Sequence, residues 1–164
     1  MIQATTEDRK HIWQRIEDAR IAFFTTLSED NGLRARPLST QRVDAETSLW
    51  FFIAADSDLA KDARANQRAL VTYSDEREGF YASLSGTARV MTDPNKAREM
   101  WSKLDEAWFP GGPEDSNLAL LRVDVDHGET WEPTTNELMQ FLSIAAAAMS
   151  HTAPSREGAH KTFQ

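Results

Sequence analysis

The chain has 164 residues, with 18 basic and 26 acidic side chains, four histidines and no cysteine, for a formal charge of −8. That length suits one domain with a sizeable core, and 40% hydrophobic with 27% charged residues describes a folded globular chain. Zero cysteine excludes disulfides, thiolate metal sites and thiol nucleophiles. A pI near 5.0 argues against a nucleic-acid partner, which needs a basic surface. No apolar run reaches the roughly 18 residues of a membrane span, and the first residues lack the basic-then-apolar pattern of a signal peptide, so the expected address is cytoplasmic. Residues 31–70 hold six basic and five acidic side chains, leaving this segment at +1 and the remainder at −9. One cationic spot in an acidic chain suits a small anion better than a polymer, although ordinary solvated charges would give the same count.

The first element reads as a helix capped by Thr5 or Thr6, with Glu7 and Asp8 in its first turn and an apolar stripe of Ile12, Trp13, Ile16 and Ala19. The period then changes. Arg20 to Ser28 is aromatic and β-branched, Glu29 to Gly32 supplies a turn, and Arg34 to Val43 is the returning strand. Thr47 to Ala54 is apolar throughout, the pattern of a strand buried on both faces. Ser57 caps a short helix through Ala65, and Ala69 to Ser74 is a fourth strand. Phe80 to Thr92 alternates strictly, with Phe80, Ala82, Leu84, Gly86, Ala88 and Val90 on one face and Tyr81, Ser83, Ser85, Thr87 and Arg89 on the other. Asp93 and Pro94 start a helix to about Leu104, a Trp108–Pro113 loop follows, and Leu118 to Asp126 is the sixth strand. Thr134 and Glu137 form a capping box for a last helix through Ala145. Residues 1–150 are taken as one domain and 151–164 as a tail of softer composition. Strands joined by short turns, with helices at ends and corners, predict an α+β domain, mainly β, built on a six-stranded antiparallel split barrel with flanking helices.

Few patterns carry chemistry. The four histidines are isolated, so no metal site is assigned. No nucleophile motif or phosphate loop is present, and no side chain is given a catalytic role. Arg34, Arg36, Leu38, Thr40 and Arg42 share one face by the period of two, and three arginines there repel unless solvent or an anion neutralises them. Ser57 offers a helix start and Lys61 lies one turn on, a reasonable phosphate site set against plain surface charge. Ser83, Ser85 and Thr87 line a polar pocket or face water. Trp108 and Trp131 lie in short segments beside proline or glycine, where a flat side chain can cover a ligand ring.

The order of Arg36-Pro37-Leu38-Ser39, Leu49-Trp50-Phe51-Phe52 and Ser57-Asp58-Leu59-Ala60-Lys61 resembles the pyridoxamine 5′-phosphate oxidase-like FMN-binding split-barrel flavoproteins. The downstream segments, Phe80 to Ala88, Trp108 to Val123 and Glu129-Thr130-Trp131, are similar to the general stress protein 26 branch. The resemblance runs from Thr6 to Ala148. It implies a homodimer with FMN, or FAD, at the subunit interface. Arg36, Ser57 and Lys61 would meet the flavin phosphate, and Pro37, Leu38 and Ser39 would run beside the ring. Tyr81 stands where the oxidases place a glutamine, Trp131 matches the tryptophan of their final strand, and Trp108 belongs to the stress-protein branch. Two departures argue against pyridoxamine-phosphate oxidase activity. Gln41 replaces a lysine, and Trp131 is followed by Glu132-Pro133 rather than by an arginine- and histidine-bearing segment that holds substrate phosphate. The leading expectation is a flavin-binding protein with flavin-dependent oxidoreductase activity on an unidentified substrate. The alternatives are a non-enzymatic flavin carrier or sensor in the stress response, and a barrel for an apolar ligand.

Overall fold

Alternation of apolar side chains builds the molecule around a closed ring of strands. The structure is a computed structural model, and it describes residues 2–3, 6–44, 48–132 and 159–163. Its strands are β1 (Ile2–Gln3), β2 (Ile21–Leu27), β3 (Leu33–Asp44), β4 (Ser48–Ala54), β5 (Arg68–Asp75), β6 (Phe80–Met91), β7 (Leu118–Glu132) and β8 (Ala159–Phe163). Strands β7, β4, β3, β2, β5 and β6 are hydrogen-bonded in that order, and β6 pairs back onto β7. The result is the expected six-stranded antiparallel barrel, mainly β with helices, and closure leaves the ring without a free edge over most of its length. Strand β7 serves three neighbours. Its first half pairs with β4, its second half with β8, and β6 runs along nearly all of it.

Three α-helices lie among the described residues, α1 (Thr6–Ala19), α2 (Asp58–Ala65) and α3 (Pro94–Met100). Ile12, Trp13 and Ile16 of α1 and Leu59, Ala60 and Ala63 of α2 join Phe24, Phe51, Val71, Leu84 and Leu121 in the barrel interior. A second cluster forms outside the ring, where Trp50, Phe52, Leu118 and Leu120 meet Ala97, Met100 and Phe109. This explains the unbroken apolar run of β4. Leu49, Phe51 and Ile53 face the barrel interior, while Trp50 and Phe52 face α3 and the loop after it.

The β2–β3 turn follows the expectation from Glu29 to Gly32. Asn31 sits at φ 59°, the Ser28 N–H donates to the Gly32 carbonyl, and the Ser28 hydroxyl donates to the Asp30 carboxylate. That hydroxyl bond, helped by the Gly32 N–H, holds the Asp30 carboxyl below its ordinary range.

Four elements differ from the expectation. Helix α3 stops at Met100 rather than Leu104, because the Ser102 N–H and Oγ both donate to the Asp105 carboxylate and turn the chain. Strand β7 continues past Asp126 to Glu132 and so carries Trp131. Ala159–Phe163, within the stretch set apart as a tail, adds an edge strand beyond β7, and β1 joins it in parallel. The predicted helix from Thr134 lies outside the described residues.

Gly86 is a fixed point of the β6–β7 ladder. The register shifts between Ser85 and Gly86, and a Cβ on Gly86 would stand 2.1 Å from the Asp124 carbonyl oxygen. Backbone cannot yield as a side-chain tip does, so Gly86→Ala is expected to destabilise the fold by about 1–3 kcal/mol, as overpacking does. Urea unfolding checks this through a lower midpoint at unchanged slope.

Candidate functional site

The barrel is not zipped along its whole length. Strand β3 pairs with β2 from Leu33 to Ser39, but its ladder to β4 begins only at Thr40, opposite Phe51. Arg36 to Ser39 on one side and Phe52 to Ala54 on the other therefore border an opening between two strands that have parted. The opening is a cavity of about 800 Å³, floored by Ser57, Asp58 and Leu59 at the start of α2 and walled by Ser102, Asp105, Trp108 and Phe109 of the loop after α3. A proline fits in a strand only where its missing N–H faces an open edge, and Pro37 lies in this unpaired half.

One end of the cavity carries a guanidinium with donor capacity to spare. Arg36 shares the inward face of β3 with Leu38, opposite Phe24 and Ala22 of β2, and one of its terminal nitrogens, Nη2, donates to Asp62 Oδ2 at 2.9 Å. The other, Nη1, is buried and has no partner among the described residues. An orphaned guanidinium N–H is costly, and an anion in the cavity would satisfy it. Beside it, Ser57 caps α2 as expected, its Oγ accepting from the Ala60 N–H at 3.1 Å and donating to the Ala54 carbonyl at 2.6 Å. The N–H groups of Asp58 and Leu59 lie in the first turn, have no carbonyl partner within the helix, and border the cavity.

Five residues beyond Arg36 on β3, Gln41 meets a carboxylate of the lining. Asp105 is only 7% exposed, and its carboxylate accepts from Ser102 N–H (2.8 Å), Ser102 Oγ (2.7 Å) and Gln41 Nε2 (3.2 Å). Trp108, 82% exposed, stands at the mouth. Sequence reasoning missed Asp105, since one aspartate in a loop has no pattern to mark it.

The structure brings Arg36, Pro37, Leu38, Ser39, Ser57 and Trp108 together around this cavity. It leaves three of the expected residues elsewhere. Lys61 does not line the cavity and pairs with Asp58 at 3.3 Å, because one helical turn carries it to the solvent side of α2. Tyr81 and Trp131 are cross-strand neighbours on the outer face of the sheet, 42% and 38% exposed. The row of three arginines is also corrected. Each has its own carboxylate, Asp30, Asp62 or Glu99, and an irregularity between Thr40 and Arg42 turns Arg42 to the outer face beside Trp50. Thr40 points inward to Tyr73, Oγ to phenol oxygen 2.7 Å, and burial pushes the Tyr73 phenol well above its usual range despite that bond. Ser83 and Ser85 lie on the outer face of β6, away from the cavity.

A profile of the family described as pyridoxamine 5′-phosphate oxidase like matches residues 7–155. The chain belongs to that family. Among solved structures it is similar to a general stress protein 26 from Jannaschia sp. CCS1, 34% identical, covering 96% of this chain and 100% of that one with a TM-score of 0.72. It is also similar to the general stress FMN/FAD binding protein of Xanthomonas citri, 31% identical over 78% of this chain and 90% of that one, TM-score 0.67. Protein bli-3 of Neurospora crassa is 29% identical over 110 residues, 62% of this chain, and the chain spans about half the length of that curated relative, 53%.

The Arg36–Asp62 pair is the electrostatic joint between β3 and α2. Asp62→Ala would leave Arg36 charged and without its partner, and the expected cost is about 1–3 kcal/mol, below the value for a fully buried pair because Arg36 retains some solvent contact. Guanidinium unfolding of the two proteins measures it.

Proposed function

We propose that this family member binds FMN in the cavity between β3 and β4 and uses it as a flavin-dependent oxidoreductase of the general stress protein 26 type. The buried, unpartnered Nη1 of Arg36 is the observation that carries the reading. It supplies one donor for a phosphate, and the first-turn N–H groups of α2 supply more. Pro37, Leu38 and Ser39 offer an open backbone edge along which a flat ring with its own donors and acceptors can lie. Trp108 would cover the ring from the mouth. Lys61 adds long-range charge and no contact while it pairs with Asp58. The flavin supplies the redox chemistry when bound, and the protein supplies binding, orientation and shielding from water.

The proposed assembly is a homodimer. Ile21 and Phe23 of β2 and Leu70 of β5 are exposed on the outer sheet face that also carries Tyr81 and Trp131. A second copy on that face would bury this apolar surface and would set the partner's Tyr81 and Trp131 against the flavin site. Residence in the cytoplasm is proposed on the same family grounds.

Two measurements test the reading. Purified protein titrated with FMN is expected to perturb the flavin absorption band with micromolar affinity or better. Arg36→Ala is expected to weaken binding by about tenfold to a hundredfold, the worth of one charge-assisted hydrogen bond. No binding at tens of micromolar FMN would sink the proposal. Sedimentation of Phe23→Glu against the parent protein is expected to show loss of the dimer. For the loaded protein, photoreduction followed by mixing with oxygen or a nicotinamide nucleotide separates an oxidoreductase, whose flavin reoxidises rapidly, from a carrier whose flavin does not.

A further inference from the structure

The two ends of the cavity differ in charge, and only one is used by the phosphate site. The lining also includes the apolar side chains of Leu38, Phe52, Ile53 and Phe109. At the far end Asp105 is buried, and the partners it has are neutral, a backbone N–H, a hydroxyl and an amide. These bonds fix the carboxylate in place without cancelling its charge. Among the described residues Oδ1 accepts from Gln41 alone, and an ionised carboxylate has about four acceptor positions, so acceptor capacity remains on a side chain that lines the cavity. Apart from Arg36, the cation of the lining is Arg20, which is exposed, so that solvent screens it.

We propose that the Asp105 end is a subsite for a cationic group, an amidinium, guanidinium or ammonium carried on a flat apolar body. The carboxylate would pair with the cation in a low-dielectric recess, and Trp108 would lie against the attached ring. This names the substrate class of the proposed flavin site and rests on that reading. A carboxylate held by Gln41 and Ser102 rejects a phosphate-bearing substrate by repulsion, so selection at this end is for charge as much as for shape. Arg36 and Asp105 together make the cavity dipolar, with the flavin phosphate at one pole and the second ligand's cation at the other.

Benzamidine and benzoate test this, being close in size and opposite in charge. Each is titrated into FMN-loaded protein, with the flavin spectrum and tryptophan fluorescence as readouts. Benzamidine is expected to bind at least tenfold more tightly than benzoate. Asp105→Asn is expected to remove that preference with FMN still bound. Gln41→Lys, which would set an ammonium beside Oδ1 and leave Asp105 in place, is expected to remove it as well. Equal binding of the two probes, binding of neither, or a preference that survives Asp105→Asn would overturn the subsite. Loss of FMN from Asp105→Asn would assign the carboxylate to the flavin instead and would also overturn it. If the parent protein takes up no FMN, the flavin reading fails by itself, and tryptophan fluorescence still reports the benzamidine preference.

Discussion

The parting of β3 from β4 is the constraint on which the rest of the site depends. A closed barrel satisfies the backbone groups of every strand through its neighbours. Here that rule is relaxed over Arg36 to Ser39, where β2 continues to pair and β4 does not. Pro37 suits the open edge, and the irregularity after Thr40 restores the ladder one step later. Buried anchors pin the strands on either side of the opening. Thr40 is tied to Tyr73 across the barrel interior, and Phe51 packs in the inner core beneath the last shared pair. The cavity is thus a designed discontinuity in the sheet, kept open by well-packed neighbours.

A charge facing inward follows from that discontinuity. Arg36 lies on the inner face of β3, where a closed barrel would hold an apolar side chain, and the gap lets α2 supply Asp62 as its partner. The pairing satisfies one terminal nitrogen and leaves the other orphaned. An arginine held on one side and unsatisfied on the other is preorganised for an anion, because little side-chain entropy remains to be lost when the anion arrives. The same logic operates in mirror image at Asp105, whose neutral partners fix its position and leave its charge exposed to the cavity.

What the sequence made legible follows the strength of local signals. Strict alternation in β6, the apolar run of β4 and the Ser57 cap each have a short-range physical cause, and each element formed where the pattern placed it. The meeting of Arg36 with Ser57 was legible from one strand face and one helix start, whereas Pro37, Leu38 and Ser39 entered through the family resemblance. Asp105 was not, because its role arises from Gln41, 64 positions away, and from a turn that ends α3 early. Strand β8 was not legible either. Ala159–Phe163 gains its pairing from the overhang of β7 beyond β4, a tertiary circumstance that five residues cannot announce.

Tyr81 and Trp131 stand exposed on the outer face of the sheet, away from the cavity. Period-two geometry fixes them on the outer face once Phe80 and Ala82 are buried, so no local adjustment could turn them toward the cavity. A lone barrel would gain more from polar residues at these positions, as it has at Ser83 and Ser85 on the same face. Two large aromatics paired across β6 and β7, with Ile21, Phe23 and Leu70 on the neighbouring strands, instead make an exposed apolar surface, the one on which a second copy is proposed to sit. If a second copy covers that face, as proposed, the barrel's inner face stabilises the fold, its opening is the proposed flavin site, and its outer face would finish a partner's. Each strand then carries two functions at once, separated by the alternation that formed it.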